Sequence, residues 1–583
     1  MVSNLHFEIE DFEIKKMEQK GVKYIELPSL TEEEKRIVDP IVAPTSGLRI
    51  ELCDILKDGN KYIARKRRLF LFFRVFRAIA QHYKENNPEG DPNILIVSDD
   101  RPTSDVLLKF SSQIFAYEGY NIFFQNENES NSKMSSPYGA ASVALYDNIN
   151  LVIVLTASHN ELAWHGIKFY IEYPIPISGD LFKSISNRAL EYDKVLLKTD
   201  VASQLIEAED KNNDYIRDLL SHILEIKSLR KKDIIVWPYL GKGRGLVNLL
   251  EQYGANVHLI EENLNPPNPL KNLPEEKLQT EINKYDTDIA LLLDADRDRI
   301  ALYVKQNGEY MTYIPNEIYS ALHNILAKDF NVKVLNVRTV PSDLRADDSS
   351  FLNVFTGVGY KHLGVILYFL FGIEVDQSKI DTAILYMEGK ENELIQIDNP
   401  EPLKSKVMEK ARELNIERED IIVVMWEESG GHTINILNLE KENSTYKFKS
   451  EFPLIADKYP IPALVLITEL ISRGYVISES IDWSIVGINR TLPAKDEEKV
   501  KIMTSFEEND GKNLIIDGKK YYITALSDNT SKTDIYRLKS EDSTLYFRPS
   551  GTGPYVRFYI FGDRETYNEE IETVINYVEE NYK

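Results

Sequence analysis

Residues 151–170 read L-V-I-V-L-T-A-S-H-N-E-L-A-W-H-G-I-K-F-Y. The first five are apolar and predict a short buried strand, and the small and polar residues after them predict its end. Open α/β folds place their ligands at the sheet edge where such strands end. The stretch therefore places Ser158 where a nucleophilic hydroxyl could be presented, with His159 beside it and Lys168 ten residues further on. A plain turn that merely ends a strand is the alternative.

Length, charge and cysteine content limit the class of protein. A chain of 583 residues is expected to form about three to five domains. The formal charge of −24 argues against nucleic acid as a partner, although a basic cleft for a small anion remains compatible with it. The single cysteine, Cys53, excludes an intramolecular disulfide and fits a reducing compartment. No signal peptide or membrane-spanning run is recognised, so we expect a soluble, cytoplasmic protein.

Strand and helix patterns alternate through the first part of the chain. Thr31 and Glu34 predict a capping box at a short helix in an N-terminal extension lying on the outside of the first domain. The predicted elements are then a strand at 93–98, a helix at 105–117, a strand at 121–124, a helix at 138–145 and the strand at 151–155. This order predicts a mostly parallel sheet with helices on its faces. The polar turn at 101–104 after its first strand is suited to an anion.

The alternation restarts at Asp233 with a strand, the loop G-K-G-R-G at 241–245, a helix and a second strand. The loop resembles a dinucleotide-binding fingerprint, but Leu246 occupies the place of the third glycine. A loop that approaches a phosphate or another backbone at the start of a second α/β domain is the alternative.

Three alternate carboxylates, Asp294, Asp296 and Asp298, lie between two apolar strands. Mutual repulsion disfavours three acids at one strand end unless a cation neutralises them, and hard oxygen ligands favour Mg²⁺ or another hard divalent ion. A calcium-binding EF-hand is excluded, because Arg299 stands where that loop needs glycine and Lys305 where it needs glutamate. Solvated turn acids are the alternative.

Later segments repeat the plan and end in further polar turns. A helix is predicted at 316–330, and a glycine-bearing turn at 354–363 is expected to expose Tyr360, Lys361 and His362. A strand ends at Glu427-Glu428-Ser429, where paired acids and a hydroxyl suit vicinal sugar hydroxyls. The turn R-P-S-G-T at 548–552 offers a guanidinium, two hydroxyls and backbone N–H groups, which suit a phosphate.

The C-terminal helix is predicted to begin in a capping box of Thr566 and Glu569. Its apolar face consists of Ile571, Val574, Ile575 and Val578.

The motifs T-A-S-H-N, D-A-D-R-D-R, G-Y-K, E-E-S-G-G and R-P-S-G-T occur in an order that resembles the α-D-phosphohexomutase family (phosphoglucomutase and phosphomannomutase), over residues 44 to 583. The resemblance implies an α/β fold of four domains around a central cleft, three of them related α/β domains with mixed sheets and the fourth a smaller C-terminal α+β lid. The expected domains are 1–195 with the phosphoserine loop, 196–310 with the metal loop, 311–474 with the sugar-binding loops, and 475–583 with the phosphate-binding loop.

The resemblance also implies roles for matching positions. Ser158 would carry the phosphoryl group, and Lys168 would be the acid/base lysine. The three aspartates would hold Mg²⁺ with a phosphoserine oxygen, while Arg49, His159 and Arg299 would neutralise the reacting phosphate. The positions expected to bind substrate are Arg299, Gly359, Tyr360, Lys361, Glu427, Ser429, Arg548, Ser550, Gly551 and Thr552.

Departures from the family pattern bear on specificity. Gly553 replaces the usual glutamate, His432 follows the E-E-S motif one step later than in some relatives, and the 65 residues between Lys361 and Glu427 imply an insertion with a helix at 403–414. We expect an enzyme that interconverts hexose 1- and 6-phosphates, glucose favoured, with glucose 1,6-bisphosphate as activator and intermediate. A phosphopentomutase, a sugar-1,6-bisphosphate synthase and a non-catalytic sugar-phosphate-binding relative are the alternatives; the sequence does not give the oligomeric state.

Overall fold

The computed structural model describes residues 6–40, 47–56, 61–125, 132–175, 177, 179–373, 383–527, 535–550 and 554–583. The chain divides into two units. Among the described residues, the first unit lies within 6–314 and 453–474, and the second lies within 315–373, 383–452 and 475–583. The four domain boundaries expected from the sequence stay a prediction.

The first part of the first unit contains these elements: β1 (His6–Ile9), β2 (Lys15–Lys16), β3 (Val22–Glu26), α1 (Glu32–Val38), β4 (Leu48–Glu51), β5 (Cys53–Ile55), β6 (Lys61–Ala64), α2 (Lys66–Asn86), β7 (Asn93–Ser98), α3 (Ser104–Tyr117), β8 (Asn121–Gln125), α4 (Ser136–Leu145), β9 (Leu151–Leu155), β10 (Trp164–Ile171), α5 (Gly179–Leu190), β11 (Lys194–Lys198) and β12 (Ser203–Ile206). The main sheet has the order β12-β8-β7-β9-β10-β4. Its first four strands are parallel, and β10 and β4 are antiparallel to their neighbours. The α/β class and the mixed sheet are therefore confirmed.

The unit continues with α6 (Ala208–Ser221), β13 (Asp233–Trp237), α7 (Arg244–Gln252), β14 (Asn256–Leu259), α8 (Glu275–Tyr285), β15 (Ile289–Leu293), β16 (Ile300–Gln306) and β17 (Glu309–Tyr313). Its second sheet has the order β14-β13-β15-β16-β17 and again passes from parallel to antiparallel pairing at a hairpin.

The second unit begins with α9 (Pro315–Asp329), β18 (Lys333–Thr339), β19 (Leu352–Thr356), α10 (Tyr360–Leu363), α11 (Val365–Phe371), β20 (Leu385–Glu388), β21 (Leu394–Ile397), α12 (Pro400–Glu413), β22 (Arg418–Trp426), β23 (His432–Glu442) and β24 (Thr445–Lys449). Its sheet has the order β21-β20-β19-β18-β22-β23-β24. The expected insertion supplies the edge hairpin β20–β21 and the helix α12, which covers the helix predicted at 403–414.

The remaining elements are α13 (Ile461–Ser472) in the first unit and, in the second, β25 (Ile485–Pro493), α14 (Asp496–Glu507), β26 (Asn513–Ile516), β27 (Lys519–Leu526), β28 (Ile535–Lys539), β29 (Thr544–Pro549), β30 (Tyr555–Asp563) and α15 (Tyr567–Tyr582). The last sheet is antiparallel throughout, in the order β25-β30-β29-β28-β27-β26. An antiparallel sheet with two helices is the α+β arrangement expected of the C-terminal part.

Three motif-bearing strands hold equivalent places in three sheets. β9, β15 and β22 each lie between a parallel neighbour (β7, β13 and β18, respectively) and an antiparallel neighbour that is the next strand along the chain. Ser158, Asp294 and Glu427 each follow the carboxyl end of one of these strands. The fold therefore uses one topological position three times to present polar side chains.

Two predictions about the chain termini need correction. The N-terminal extension is more than an outer layer, because β1 pairs with β6 and the Phe12 ring lies 5.5 Å from that of Phe70 in the core. The capping box of Thr31 and Glu34 is confirmed. At the other end Thr566 has helical backbone angles and, within the described ranges, its side chain caps no N–H of α15, so the second capping box is wrong. The predicted apolar face of α15 is confirmed as buried.

Candidate active site

Ser158 lies in a tight loop that begins directly after β9. Its backbone is left-handed, with φ of 51°, a conformation that costs free energy for a non-glycine residue and that concentrates at functional sites. The Ser158 N–H donates to Thr156 Oγ1 at 2.8 Å, and the Thr156 hydroxyl donates to Asp99 Oδ2 at 2.7 Å. These hydrogen bonds hold the buried serine in its strained conformation.

Arg101 holds the same loop through four of its backbone carbonyls. Its Nη2 donates to the carbonyls of Ser158 at 2.6 Å and Asn160 at 2.7 Å, and its Nη1 donates to those of Glu161 and Trp164. The guanidinium is buried, and its Nε pairs with Asp99 at 3.1 Å. The expectation that this turn suits an anion is therefore wrong for Arg101, because the loop's own carbonyls occupy its donors.

Replacing Arg101 with lysine should destabilise the protein by about 2–3 kcal/mol, because an ammonium cannot reach four carbonyls in a fork and some would be left buried and unpaired. Chemical unfolding measures the change. Arg77→Lys is the matched control, since Arg77 is half-buried and donates to one carbonyl, that of Lys194, and to Glu118, a carboxylate with which lysine can also pair. Equal losses in the two variants would contradict the role given to Arg101.

Asp294, Asp296 and Asp298 form a buried acidic cluster, and one ligand atom from each lies within 4.8 Å of the others. The loop wraps around Asp294, whose Oδ1 accepts the N–H groups of Asp298 at 3.1 Å and Arg299 at 3.2 Å. The Ser158 hydroxyl donates to Asp294 Oδ2 at 3.1 Å. The structure thus brings Ser158 together with three acids that lie 136 to 140 residues further along the sequence.

Lys168 lies at the centre of this cluster. β10 runs antiparallel to β9 and carries Lys168 back, so that its Nζ donates to Asp296 Oδ2 at 2.8 Å and Asp298 Oδ2 at 2.9 Å. Ser136 Oγ accepts its third hydrogen bond at 2.9 Å. Burial acts to lower the pKa of Lys168, but Asp296 and Asp298 outweigh it and the pKa is raised. Lys168 is therefore a protonated, fully engaged ammonium.

The three carboxylates repel one another, although Lys168, Arg299 and Lys458 lie near them. Burial, followed by the other two acids, raises the pKa of Asp294 well above its ordinary value. Arg299 is a weaker partner, with its Nε 3.7 Å from Asp298 Oδ1. Asp296 Oδ1 and Asp298 Oδ1 are buried and accept no hydrogen bond from any described residue. Two orphaned carboxylate oxygens beside a third acid are what a hard divalent cation requires, so these residues fit a metal.

Arg49 and His159 border the serine. Arg49 Nη1 donates to Asn160 Oδ1 at 2.7 Å, and His159 Nδ1 lies 3.4 Å from Ser158 Oγ. Burial, followed by Arg299 and Arg49, lowers the pKa of His159 to about 2. His159 is thus a neutral imidazole in the unphosphorylated protein, and its part in neutralising a phosphate stays a prediction.

Sequence reasoning missed two residues beside the cluster, Asp457 and Lys458. Asp457 Oδ2 accepts the hydroxyl of Tyr170 at 2.8 Å, and Lys458 Nζ lies 3.9 Å from Asp298 Oδ2. They come from the segment Pro453–Gly474, which returns to the first unit from far along the chain. No motif marks this segment, and only an acid next to a lysine before a buried helix could have drawn attention to it.

The second unit carries the residues expected to bind the sugar. Glu427 is buried after β22, and the Ser429 hydroxyl donates to its Oε1. Burial, and then Glu427, raise the pKa of Glu428 to about 7. These three side chains form one polar turn, as the sequence predicts.

The G-Y-K segment differs from its prediction. Gly359 has φ of 133° and precedes α10, in which Tyr360, Lys361 and His362 are buried instead of exposed. Tyr360 is held inside because its hydroxyl donates to the Met425 carbonyl at 3.0 Å.

His432 is buried, with its Nε2 2.9 Å from Nε2 of His323. Its pKa lies well below the ordinary value because of burial.

In the last sheet Arg548 is half-buried and Ser550 is buried, with the Ser550 N–H donating to the Tyr555 carbonyl at 2.9 Å. Lys499 Nζ donates to the Ser550 carbonyl at 3.1 Å. Gly551 and Thr552 lie outside the described residues. The phosphate-binding role of this turn stays a prediction.

Comparison with known proteins agrees with the motifs. Residues 61–195 match the family model of the phosphoglucomutase/phosphomannomutase α/β/α domain I. A phosphomannomutase of Vibrio cholerae is 23% identical over 259 residues, which cover 41% of this chain and 52% of that protein. The match thus spans about half the length of this relative.

Solved structures extend the likeness to nearly the whole chain. A phosphoglucomutase/phosphomannomutase family protein of Burkholderia thailandensis superposes with a TM-score of 0.57, at 14% identity, over 94% of this chain and 99% of that one. Parafusin, a phosphoglucomutase of Paramecium, gives 0.58 at 14% identity over 96% of both chains. The fold is therefore the one that these solved structures share, and residues 61–195 are similar to domain I of the phosphoglucomutase/phosphomannomutase family.

Among the described residues, none of the helices has the length and apolar character needed to span a bilayer.

Proposed function

We propose that the chain is a phosphohexomutase that moves a phosphoryl group between the 1- and 6-positions of a hexose phosphate, with glucose favoured. The reaction passes through a phosphoserine on Ser158 and a bisphosphorylated sugar. The contact of 3.1 Å between Ser158 Oγ and Asp294 Oδ2, in a buried cluster that also holds Lys168, carries this proposal. The order of the five motifs and the names of the relatives support it.

The proposed chemistry needs two linked transfers. In the first, the Oγ–P bond of the phosphoserine breaks and a bond forms between phosphorus and the free hydroxyl oxygen of the sugar phosphate. In the second, the bisphosphate, having turned over, returns its other phosphoryl group to Ser158 Oγ. In each transfer the departing oxygen gains a proton and the attacking hydroxyl loses one. We assign both steps to Lys168, which as an ammonium would give a proton to the first and then take one from the second. A loose phosphoryl transition state is stabilised mainly by positioning and charge.

Charge around Ser158 determines which residues can take part. Asp294, Asp296 and Asp298 would hold Mg²⁺, which would neutralise the phosphoserine and orient its oxygens. Arg299 and Arg49 add positive charge on the protein side. Ser158 is kept in one conformation by Thr156 and Arg101, so the reacting oxygen is positioned before substrate binds.

The second unit supplies the proposed sugar and distal phosphate contacts. Glu427 would accept hydrogen bonds from vicinal hydroxyls and Ser429 would add a donor, while Arg548 and Ser550 would hold the phosphate that is not reacting. The E-E-S sequence favours glucose. Glucose 1,6-bisphosphate would serve as activator because it phosphorylates Ser158. The binding partner is a small sugar phosphate. Because the chain has a net charge of −24, we do not expect it to bind nucleic acid.

A substrate panel tests the proposal. Purified protein with Mg²⁺ and a catalytic trace of glucose 1,6-bisphosphate should convert glucose 1-phosphate to glucose 6-phosphate faster than it turns over mannose 1-phosphate or ribose 1-phosphate. Phosphorus NMR follows all three reactions directly. Faster turnover of ribose 1-phosphate would indicate a phosphopentomutase, and accumulation of bisphosphate would indicate a synthase. Absence of turnover with every sugar would contradict the proposal.

A further inference from the structure

A polar cavity lies in the first unit, against the G-K-G-R-G loop, to which the proposed mutase chemistry gives no role. Its volume is about 280 Å³. The charged side chains that line it are Lys133, Lys242, Arg244, Arg297, Asp100 and Glu209. The lining thus holds four cations and two carboxylates, and two of the cations, Lys133 and Lys242, also lie near carboxylates outside it.

The loop itself is built for close approach of backbone. Gly241 has φ of 71°, and a Cβ there would lie 2.0 Å from the carboxyl carbon of Asp100. Gly243, with φ of 57°, is the N-cap residue of α7, and the Gly241 N–H donates to Asn263 Oδ1 at 3.0 Å. The N-terminus of a helix carries a partial positive charge that favours an anion.

Arg297 supplies an independent observation. It is 5% exposed, lines the cavity, and its Nε has no hydrogen-bond partner among the residues that the structure describes. The other end of its guanidinium pairs with Asp100 and so neutralises one of the two carboxylates. A buried, partly unsatisfied guanidinium in a cavity wall indicates a missing anionic partner.

The exposed cations of the lining are Lys242 and Arg244. Glu209 accepts the Gly245 N–H, and burial raises its pKa to about 7, so this carboxyl is partly neutral near neutrality. Lys133 pairs with Asp105 at 2.8 Å. Lys242 and Arg244 are both exposed, and Lys242 lies 3.8 Å from Glu261, a loose contact that an anion can displace.

We propose that this cavity binds the phosphate group of a small phosphorylated ligand and that Arg297 couples its occupancy to the acidic cluster. Arg297 lies between Asp296 and Asp298 in sequence and has a left-handed backbone, with φ of 63°. Any movement of its guanidinium toward a bound phosphate acts directly on the loop that holds the three carboxylates. The volume exceeds that of inorganic phosphate and fits an ester, so the ligand class is a small phosphate monoester.

Hydrogen–deuterium exchange on the full chain tests this site separately from the proposed active site. Inorganic phosphate, added without sugar, should slow exchange in peptides that cover 238–252 in the wild type. In the variant Lys242→Ala/Arg244→Ala the phosphate concentration needed for this protection should rise at least about ten-fold, since each lost charge-assisted hydrogen bond accounts for roughly that factor. Peptides that cover 156–164 should respond alike in both proteins.

Lys227→Ala/Lys232→Ala is the matched control, because it removes two exposed cations from the same unit without touching the cavity. It should keep wild-type protection at 238–252.

Coupling is shown if phosphate changes exchange at 290–300 in wild type and control but not in the loop variant. Tighter protection by glycerol phosphate than by inorganic phosphate would support an ester, and equal protection would identify free phosphate as the ligand. The proposal is overturned if phosphate does not slow exchange at 238–252 in the wild type, or if it does so at the same concentration in the loop variant. Both outcomes hold whether or not the protein is a mutase.

Discussion

Ser158→Ala is expected to reduce phosphoryl transfer between the two positions of glucose phosphate by at least about 10⁴-fold, because the variant has no oxygen to carry the phosphoryl group. Intact-mass measurement should find one phosphate on the wild-type protein after incubation with glucose 1,6-bisphosphate and none on the variant. The alanine should not unfold the loop, since Arg101 holds it through backbone carbonyls that the substitution leaves in place.

Ser112→Ala is a suitable control for this experiment. Ser112 is also a buried serine of the first unit, and its hydroxyl donates to the Lys109 carbonyl inside α3. The control should retain wild-type turnover and phosphorylation. If Ser158→Ala keeps turnover, or if the wild-type protein never gains phosphate, a phosphoserine mechanism is excluded and the alternative of a sugar-phosphate-binding protein gains support.

Sequence patterns predicted the elements around the first motif closely. The strand predicted at 151–155 has the same bounds as β9. Five consecutive apolar residues suit a strand that is buried on both faces of its sheet. The clustering of the acidic residues after β15 also follows from the sequence, because alternate carboxylates at a strand end repel one another unless they share a cation. What the sequence could not give is which cation fills that role, and the structure places Lys168 there in the described form.

Arg101 illustrates why side-chain roles are harder to predict than elements. An arginine after a strand suits an anion as well as a carbonyl cluster, and only the tertiary course of residues 158–164 decides between them. Tyr360 was misjudged for the same reason. A glycine-bearing turn is usually exposed, but here a short helix carries the tyrosine under β22, where a backbone carbonyl accepts its hydroxyl.

Asp457 and Lys458 could not be predicted from local sequence patterns. They belong to a segment that is part of the first unit, although 159 residues separate Asp298 from Asp457 in the sequence. Pairing at that separation depends on the course of the whole chain and leaves no periodic signal.

Lys168→Met is expected to destabilise the Mg²⁺-free protein by about 3–5 kcal/mol, the cost of removing one partner from a buried ionic group. Lys168 is buried and bonds two of the three aspartates, so the variant removes the ammonium from Asp296 and leaves Asp298 with only more distant cations. Methionine has a similar length and apolar stem, which limits the loss to charge and hydrogen bonds. Urea unfolding in EDTA measures the change.

Mg²⁺ should restore part of that loss, because a cation that binds only the folded protein stabilises it by about 2.7 kcal/mol at a concentration 100 times its dissociation constant. The gain should be larger in Lys168→Met than in the wild type, since no ammonium competes for the same oxygens. Lys183→Met is the control: its partner Asp39 forms a surface pair, with the lysine side chain 52% exposed, and such pairs contribute at most about 1 kcal/mol. A loss in Lys168→Met no greater than in this control would show that the acids are not ionised together. If Mg²⁺ stabilised neither protein, the three carboxylates would not be a metal site, and the proposed transfer would have to proceed on the cations of the chain alone.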